Sequence, residues 1–285
     1  QGQGGRLGGQ PTAGIGAGRG GPSRYGGGMG DALFDTIERW QGDRPWGRVL
    51  DAGTGAHSLR WIRGLPTTGW TAVTGDPARE RNLREQTGAA MRPGDAVTTG
   101  NWSDELFLAE ERFDTVLADY LLGALDGFAP YHQDRLFGRL RRHVLGRLYV
   151  VGLSAYPDGV VPGEGAQGEA GRRVLELARV RDACILLAGH RCYREYPVDW
   201  VVRSLERSGF RVQEAERVPI VYRARFVNGQ MDVCLRKLAY FEDAALAATM
   251  RLHIEEVRAR ALEACERLGG LRFGHDHVVV AEPVG

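Results

Sequence analysis

The chain has almost no lysine. Of its 37 basic side chains all but Lys237 are arginine, and 36 acids balance them to a net charge of +1. A near-neutral average surface makes no electrostatic demand for nucleic acid. The arginine bias, with 41 glycines and abundant alanine, reads as a GC-rich genome rather than as selection for phosphate binding. Cysteine is scarce as well. Cys184, Cys192, Cys234 and Cys265 lie far apart and form no CxxC pair. That excludes the usual zinc and dithiol motifs, so no metal site is expected and buried thiols in a reducing compartment are the default. No apolar run approaches the roughly 18 residues that span a bilayer, so a soluble chain without a membrane partner is expected. With 43% hydrophobic residues over 285 positions, the chain can bury one large core or two small ones.

Acids are missing from the first 30 residues. None occurs before Asp31, whereas Arg6, Arg19 and Arg24 stand among many glycines. Such a segment buries too little apolar surface to fold alone. An Arg-rich, acid-poor stretch also suits an organellar targeting remnant, with a flexible linker as the alternative. The working division is a flexible segment at 1–30 and a folded domain at 31–285. The compartment follows that choice: cytoplasmic for a linker, plastid or mitochondrion for a targeting remnant.

The most informative stretch is Val49-Leu50-Asp51-Ala52-Gly53-Thr54-Gly55-Ala56-His57-Ser58. A short apolar strand from Arg48 ends at a carboxylate, turns through two glycines and enters the helical pattern Leu59-Arg60-Trp61-Ile62. Glycine lets a ligand approach bare backbone, and the N–H groups opening a helix are unpaired. The dinucleotide fingerprint requires a third glycine where Ser58 stands, so it is incomplete. The pattern hydrophobic-hydrophobic-Asp-x-Gly-x-Gly resembles motif I of the class I S-adenosylmethionine-dependent methyltransferases, departing from it at His57, where that family usually has glycine.

Later segments extend the resemblance in order. Gly69 to Asp76 reads as a second strand ending in an acid able to accept both ribose hydroxyls of a nucleoside; a turn acid before Pro77 is the alternative. Ala96 to Gly100 reads as a third strand. The resemblance then implies an adenine corner, where Asn101 would bond the exocyclic amine and Trp102 would offer stacking area. Asn101 can equally cap a short helix at 103–109. Phe113 to Asp119 is a buried strand resembling motif IV, which makes Asp119 and Tyr120 candidates for the floor of an active site. No Asn/Asp-Pro-Pro-Tyr quartet follows, which disfavours an enzyme acting on DNA adenine or glutamine. A helix at 133–143, a strand at 147–153, a helix and Gly209-Phe210 turn, a strand to Tyr222 and a late strand from His277 complete the family's order.

The resemblance implies a Rossmann-like, doubly wound α/β sheet of seven strands, mostly parallel, its last strand antiparallel between the fifth and sixth. It implies S-adenosylmethionine as cofactor, held by Asp51, Gly53, Gly55, Asp76, Asn101, Trp102 and Asp119. Two insertions, at about 156–194 and 223–268, are expected to choose the substrate. The first carries a helix at 172–188. The second carries two helices packed on the sheet or on a second copy, giving a homodimer; Arg251, Arg258 and Arg260 with Glu255, Glu256 and Glu263 read as a solvated face of i,i+4 pairs. Phe128 and Tyr131 can line an aromatic pocket or anchor the next helix.

The predicted activity is methyl transfer to a small-molecule acceptor, with nucleic acid disfavoured. Asp119, Tyr120 and His132 are the catalytic candidates, with His190 and His57 also near the strand ends. The resemblance also makes Tyr25, ahead of the helix at 31–40, a cofactor or substrate contact candidate. Two other readings stay open: an NAD(P)-dependent oxidoreductase, and a methyltransferase-like binding or assembly subunit without catalysis.

Overall fold

A computed structural model describes residues 32–159 and 163–285. The 1–30 segment, with Tyr25, lies outside the described residues. Strand β1 is Arg48–Asp51, β2 Gly69–Thr74, β3 Ala96–Thr99, β4 Phe113–Asp119, β5 Val144–Leu153, β6 Phe210–Tyr222 and β7 Leu271–Pro283. They form one sheet in the order β3-β2-β1-β4-β5-β7-β6. The first five strands run parallel, while β7 pairs antiparallel with both β5 and β6. The doubly wound sheet with an antiparallel inserted strand is thus what the resemblance implied.

Both faces are covered because neighbouring strand residues bury to opposite sides. Val49, Leu117, Tyr149, Val151, Val278 and Val280 pack with helices α1 (Ala32–Gln41) and α2 (Ala56–Gly64). Leu50, Val116, Leu148, Val150, Val279 and Ala281 pack with α5 (Gln133–Arg141) and α7 (Val198–Arg207). The continuous Val/Leu runs are the signature of strands buried on both faces. Helix α3 (Pro77–Thr87) follows β2, and the four-residue α4 (Leu121–Ala124) follows β4. Gly209 takes φ +81 after α7, the left-handed geometry that ends a helix.

The two insertions build one structure. Helix α6 (Gly165–Leu187) comes from the first, and α8 (Ala224–Lys237) and α9 (Ala244–Arg267) from the second. Val174 and Leu177, Val227 and Met231, and Ile254 and Val257 share a core with Ile220, Tyr222 and Leu271. Strand β7 pairs with β5 only from Asp276 onward, so its earlier residues extend beyond the carboxyl end of β5 with β6 alone. That ribbon carries the three-helix cap. The expected solvated pairs on α9 are partly redirected. Arg258 reaches Asp232 on α8 at 2.8 Å and Arg260 reaches Glu176 on α6 at 2.7 Å, tying the cap together.

The short helix expected at 103–109 is absent. Residues 102–110 form turns, and Leu108 adopts φ +53, which interrupts a right-handed helix. Arg139 Nη2 donates to the Asp104 and Phe107 carbonyls at 2.7 Å and satisfies groups that helical bonds would have used. Among the described residues, no helix is long and apolar enough to cross a membrane.

Candidate active site

Asp51 ends β1 and is 1% exposed. Ser58 Oγ, in the first turn of α2, donates to Asp51 Oδ2 at 2.7 Å or to the Gly55 carbonyl, and accepts from the Gly55 N–H at 3.0 Å. One hydroxyl therefore fastens the carboxyl to the glycine turn. Trp102, 3% exposed, holds the same turn from the side: its indole N–H donates to the Ala52 carbonyl at 2.7 Å. Thr54 and the Gly53 amide lie near the carboxyl, yet Asp51 Oδ1 is buried without a hydrogen bond of acceptable geometry. Burial pushes the Asp51 pKa up to about 6, with Ser58 and the other neighbours, Arg79 among them, pulling it back.

The two glycines differ. A Cβ at Gly53 would stand 2.8 Å from Leu121 Cδ1, so this glycine admits the first residue of α4. A Cβ at Gly55 would meet Arg79 Nη2 at 3.4 Å and nothing closer. Arg79, from the first turn of α3, therefore lies over the glycine turn. His57 lies beside Phe34, their rings 5.1 Å apart.

At the end of β2, Asp76 caps α3 by accepting from the Ala78 N–H at 2.8 Å. Its neighbour Gly75 is exposed on one side and closely approached on the other: a Cβ there would sit 2.5 Å from Phe128 Cδ1. Asn101 Nδ2 donates to the Phe128 carbonyl at 2.8 Å, and its Oδ1 accepts from the Ser103 N–H at 3.0 Å. Phe128 thus sits among the tips of β2 and β3. Tyr131 is 80% exposed, with Arg191 over its ring at 5.0 Å. The Arg191 guanidinium lowers the Tyr131 pKa.

A second segment closes over the first. The Arg194 N–H donates to buried Asp126 Oδ2 at 3.1 Å, and Arg191 stands 4.0 Å from the other oxygen. A Cβ at Gly127 would meet the Tyr193 ring at 3.2 Å, and one at Gly123 would meet the Arg194 carbonyl at 2.9 Å. Residues 191–195, the tail of the first insertion, and the loop at 125–132 form one cover over the strand ends. The sequence carried no periodic signal for this cover.

Asp119 ends β4, and Tyr120 follows in the left-handed region at φ +48. That conformation costs a non-glycine residue about 1 kcal/mol. It turns the chain at the carboxyl end of β4, where the Tyr120 N–H is held by the Val151 carbonyl at 3.0 Å. A cavity of about 10 Å³, lined by Tyr120, Gly152, Glu195, Tyr196 and His277, lies beside it. That space matches one water molecule. His277 on β7 is 1% exposed, and its Nδ1 has no hydrogen-bond partner. Burial, with Arg217 nearby, pushes its pKa down to about 4, so the ring is neutral at pH 7. Gly152 makes room for it, since a Cβ there would lie 2.5 Å from His277 Nε2. Nothing in the sequence marked His277, which is one of two histidines in a late strand.

His132 precedes α5 and is half-buried. His190 stands edge-on to Tyr240 at 5.1 Å, and burial with Lys237 nearby lowers its pKa. A larger cleft of about 440 Å³ lies elsewhere, where α1 and α2 end beside Trp46, Trp61 and Glu38. It is remote from the acids at the strand ends. Among the described residues no group of three or more His, Cys, Asp or Glu could hold a metal.

No protein-family model and no curated protein matches the chain. Solved structures do. A candidate methyltransferase from Bacillus halodurans C-125 aligns over 90% of this chain and 100% of its own, with TM-score 0.55 and 14% identity. A cyclopropane synthase from Mycobacterium tuberculosis aligns over 88% of this chain and 84% of its own, with TM-score 0.51 and 17% identity. A structure described in connection with the conversion of a disulfide bond into a thioacetal group during echinomycin biosynthesis gives TM-score 0.50 at 14% identity, covering 89% of this chain and 82% of its own. Strand order, inserted antiparallel strand and these likenesses agree: the chain has the fold of the class I S-adenosylmethionine-dependent methyltransferases.

Proposed function

We propose that the protein is an S-adenosylmethionine-dependent methyltransferase acting on a small-molecule acceptor. The observation that carries this reading is Asp51, a fully buried carboxyl with an unpartnered oxygen beside a glycine turn and the N-terminus of α2. An orphaned buried acceptor is costly unless something fills it, and the cofactor's ammonium group fits that need. The residues present therefore suit the cofactor.

Bound there, S-adenosylmethionine supplies a methyl group activated on a sulfonium centre. The chain's own residues bind and orient. Gly53 and Gly55 give close backbone approach, Trp102 anchors their turn, and Asp76 accepts from the ribose hydroxyls. Asn101 offers its amide to the adenine edge once Phe128 moves aside. Asp119 and Tyr120 form the floor beneath the acceptor, and Asp119, Tyr120 and His132 are the groups proposed to orient it or take its proton. The cap of α6, α8 and α9 stands beyond the carboxyl ends of β4 and β5, where it selects the acceptor. The division into a segment at 1–30 and a domain at 31–285 with two insertions belongs to the same reading. So do a homodimer through 223–268 and a cytoplasmic or organellar location.

Parallel calorimetric titrations with S-adenosylmethionine, S-adenosylhomocysteine and NAD(H) test the reading. Micromolar binding of the two sulfur nucleosides alone supports it. Binding of NAD(H) alone, or of none, overturns it.

A further inference from the structure

We infer that His277 seats a hydroxyl group of the acceptor at the carboxyl end of β5 and is the group to which that hydroxyl's proton passes. This deepens the methyltransferase reading, on which it rests, by naming the acceptor class as a neutral alcohol or phenol. His277 is paired with Gly152 on β5 and with Arg217 on β6. Its ring is 1% exposed, and Nδ1 is buried without a hydrogen-bond partner. Gly152 admits the ring, because a Cβ there would lie 2.5 Å from Nε2. The adjoining cavity of about 10 Å³, bordered by Tyr120, Glu195 and Tyr196, has the volume of one oxygen-centred group. A buried nitrogen without a partner is costly, and a polar group seated in that space removes the cost.

The charges around the ring choose the group. Arg217 stands near it from β6 and, with burial, keeps it neutral. Arg181 of α6 bears electrostatically on Glu195, so that carboxylate is answered within the protein. Asp276, which precedes His277 on β7, is buried. An acceptor carboxylate would meet Glu195, and an ammonium would meet Arg217 and a cationic cofactor. A neutral hydroxyl avoids both penalties, and it can donate to the Nδ1 lone pair. In the transfer, the hydroxyl oxygen forms the new C–O bond with one lone pair. The C–S bond breaks with its electrons left on sulfur, and the O–H proton goes to Nδ1. One positive charge leaves sulfur as one appears on the ring, so the buried site keeps its net charge.

Phenol, benzylamine and benzoate share one ring and differ in the group they present. With S-adenosylhomocysteine bound, nitrogen NMR of histidine-labelled protein is expected to show phenol alone shifting the His277 Nδ1 signal, identified by its loss in His277→Gln. By calorimetry His277→Leu is expected to bind phenol about tenfold more weakly while holding S-adenosylhomocysteine within about twofold. With S-adenosylmethionine, wild type is expected to form anisole from phenol, and His277→Gln to form it about a hundredfold more slowly. Failure of phenol to bind, equal shifts from the charged probes, or anisole formation no faster in wild type than in His277→Gln overturns the inference. In each of those cases bound S-adenosylhomocysteine leaves the cofactor reading standing. If S-adenosylhomocysteine does not bind either, both fall together.

Discussion

The Phe128 ring lies against Gly75 so closely that a Cβ at position 75 would stand 2.5 Å from it. The contact joins the loop after β4 to the tip of β2, beside the acid proposed to hold the ribose. In the proposed function, Phe128 stands between the tip of β2 and the nucleoside to be bound. Phe128→Ala is therefore expected to bind S-adenosylhomocysteine with a faster association rate than wild type, read by stopped-flow tryptophan fluorescence. Gly75→Ala is expected to destabilise the fold by about 1–3 kcal/mol through overpacking, and the double variant to recover most of that. Additive effects of the two substitutions would contradict the contact.

Asp76 does two jobs that substitution can separate. It caps α3 through the Ala78 N–H, and it is proposed to accept from the ribose. Asp76→Ala removes both, so it is expected to cost about 1 kcal/mol of stability and 1–3 kcal/mol of nucleoside binding, order-of-magnitude figures for a cap and a charge-assisted bond. Asp76→Ser keeps a capping oxygen but loses the carboxylate. It should melt near wild type yet bind S-adenosylhomocysteine as weakly as the alanine variant. Wild-type affinity in Asp76→Ser would remove Asp76 from the site.

The strands and their terminal acids were legible because a strand buried on both faces is a nearly unbroken apolar run. Val49-Leu50 and Val116-Leu117-Ala118 end in Asp51 and Asp119 for that reason. The glycine turn was legible as a pattern, but not the purpose of each glycine. Gly53 makes room for Leu121, and Gly75 for Phe128, contacts between positions 68 and 53 residues apart in the chain. No local periodicity encodes such pairs. Trp102 illustrates the same limit. From sequence its indole offers stacking area, whereas in the fold it is 3% exposed and donates to the Ala52 carbonyl. The clasp of Asp126 by Arg191 and Arg194 joins a short turn to the end of an insertion, and depends on packing that only the folded chain defines.

Burial of Asp51 makes stability depend on pH in a direction opposite to that of most carboxylates. The folded state holds the Asp51 proton more tightly than the unfolded chain does, with its pKa raised from 3.8 to about 6. The contribution is therefore full below pH 4 and is lost as pH rises through about 6, on the order of 3 kcal/mol in total. Asp51→Asn carries no such charge and still offers Ser58 an acceptor. Urea denaturation is expected to show the variant gaining on wild type between pH 4 and pH 7, while its affinity for S-adenosylhomocysteine falls. A constant stability difference across that range would mean that Asp51 is not desolvated in solution.

His277 imposes the reverse dependence, and its window overlaps that of Asp51. Its ring is buried with Nδ1 unpartnered, and the pKa falls from 6.5 to about 4. The unfolded chain binds this proton more tightly, so the contribution is full above pH 6.5 and is lost as pH falls towards 4, again by about 3 kcal/mol. His277→Leu removes the titrating group and an unsatisfied buried nitrogen together. It should match or exceed wild-type stability at pH 7.5 and surpass it by a growing margin towards pH 4.5. His277→Gln cannot titrate either, but it keeps polar atoms beside Tyr120 and Glu195. If the leucine and glutamine variants share one pH profile that departs from wild type below pH 6.5, the effect belongs to the imidazole charge and not to packing. Profiles parallel to wild type in both variants would show that His277 does not titrate across this range. Measuring each profile against Asp51→Asn keeps the two opposing groups apart, because the pair makes opposite contributions between pH 4 and pH 6.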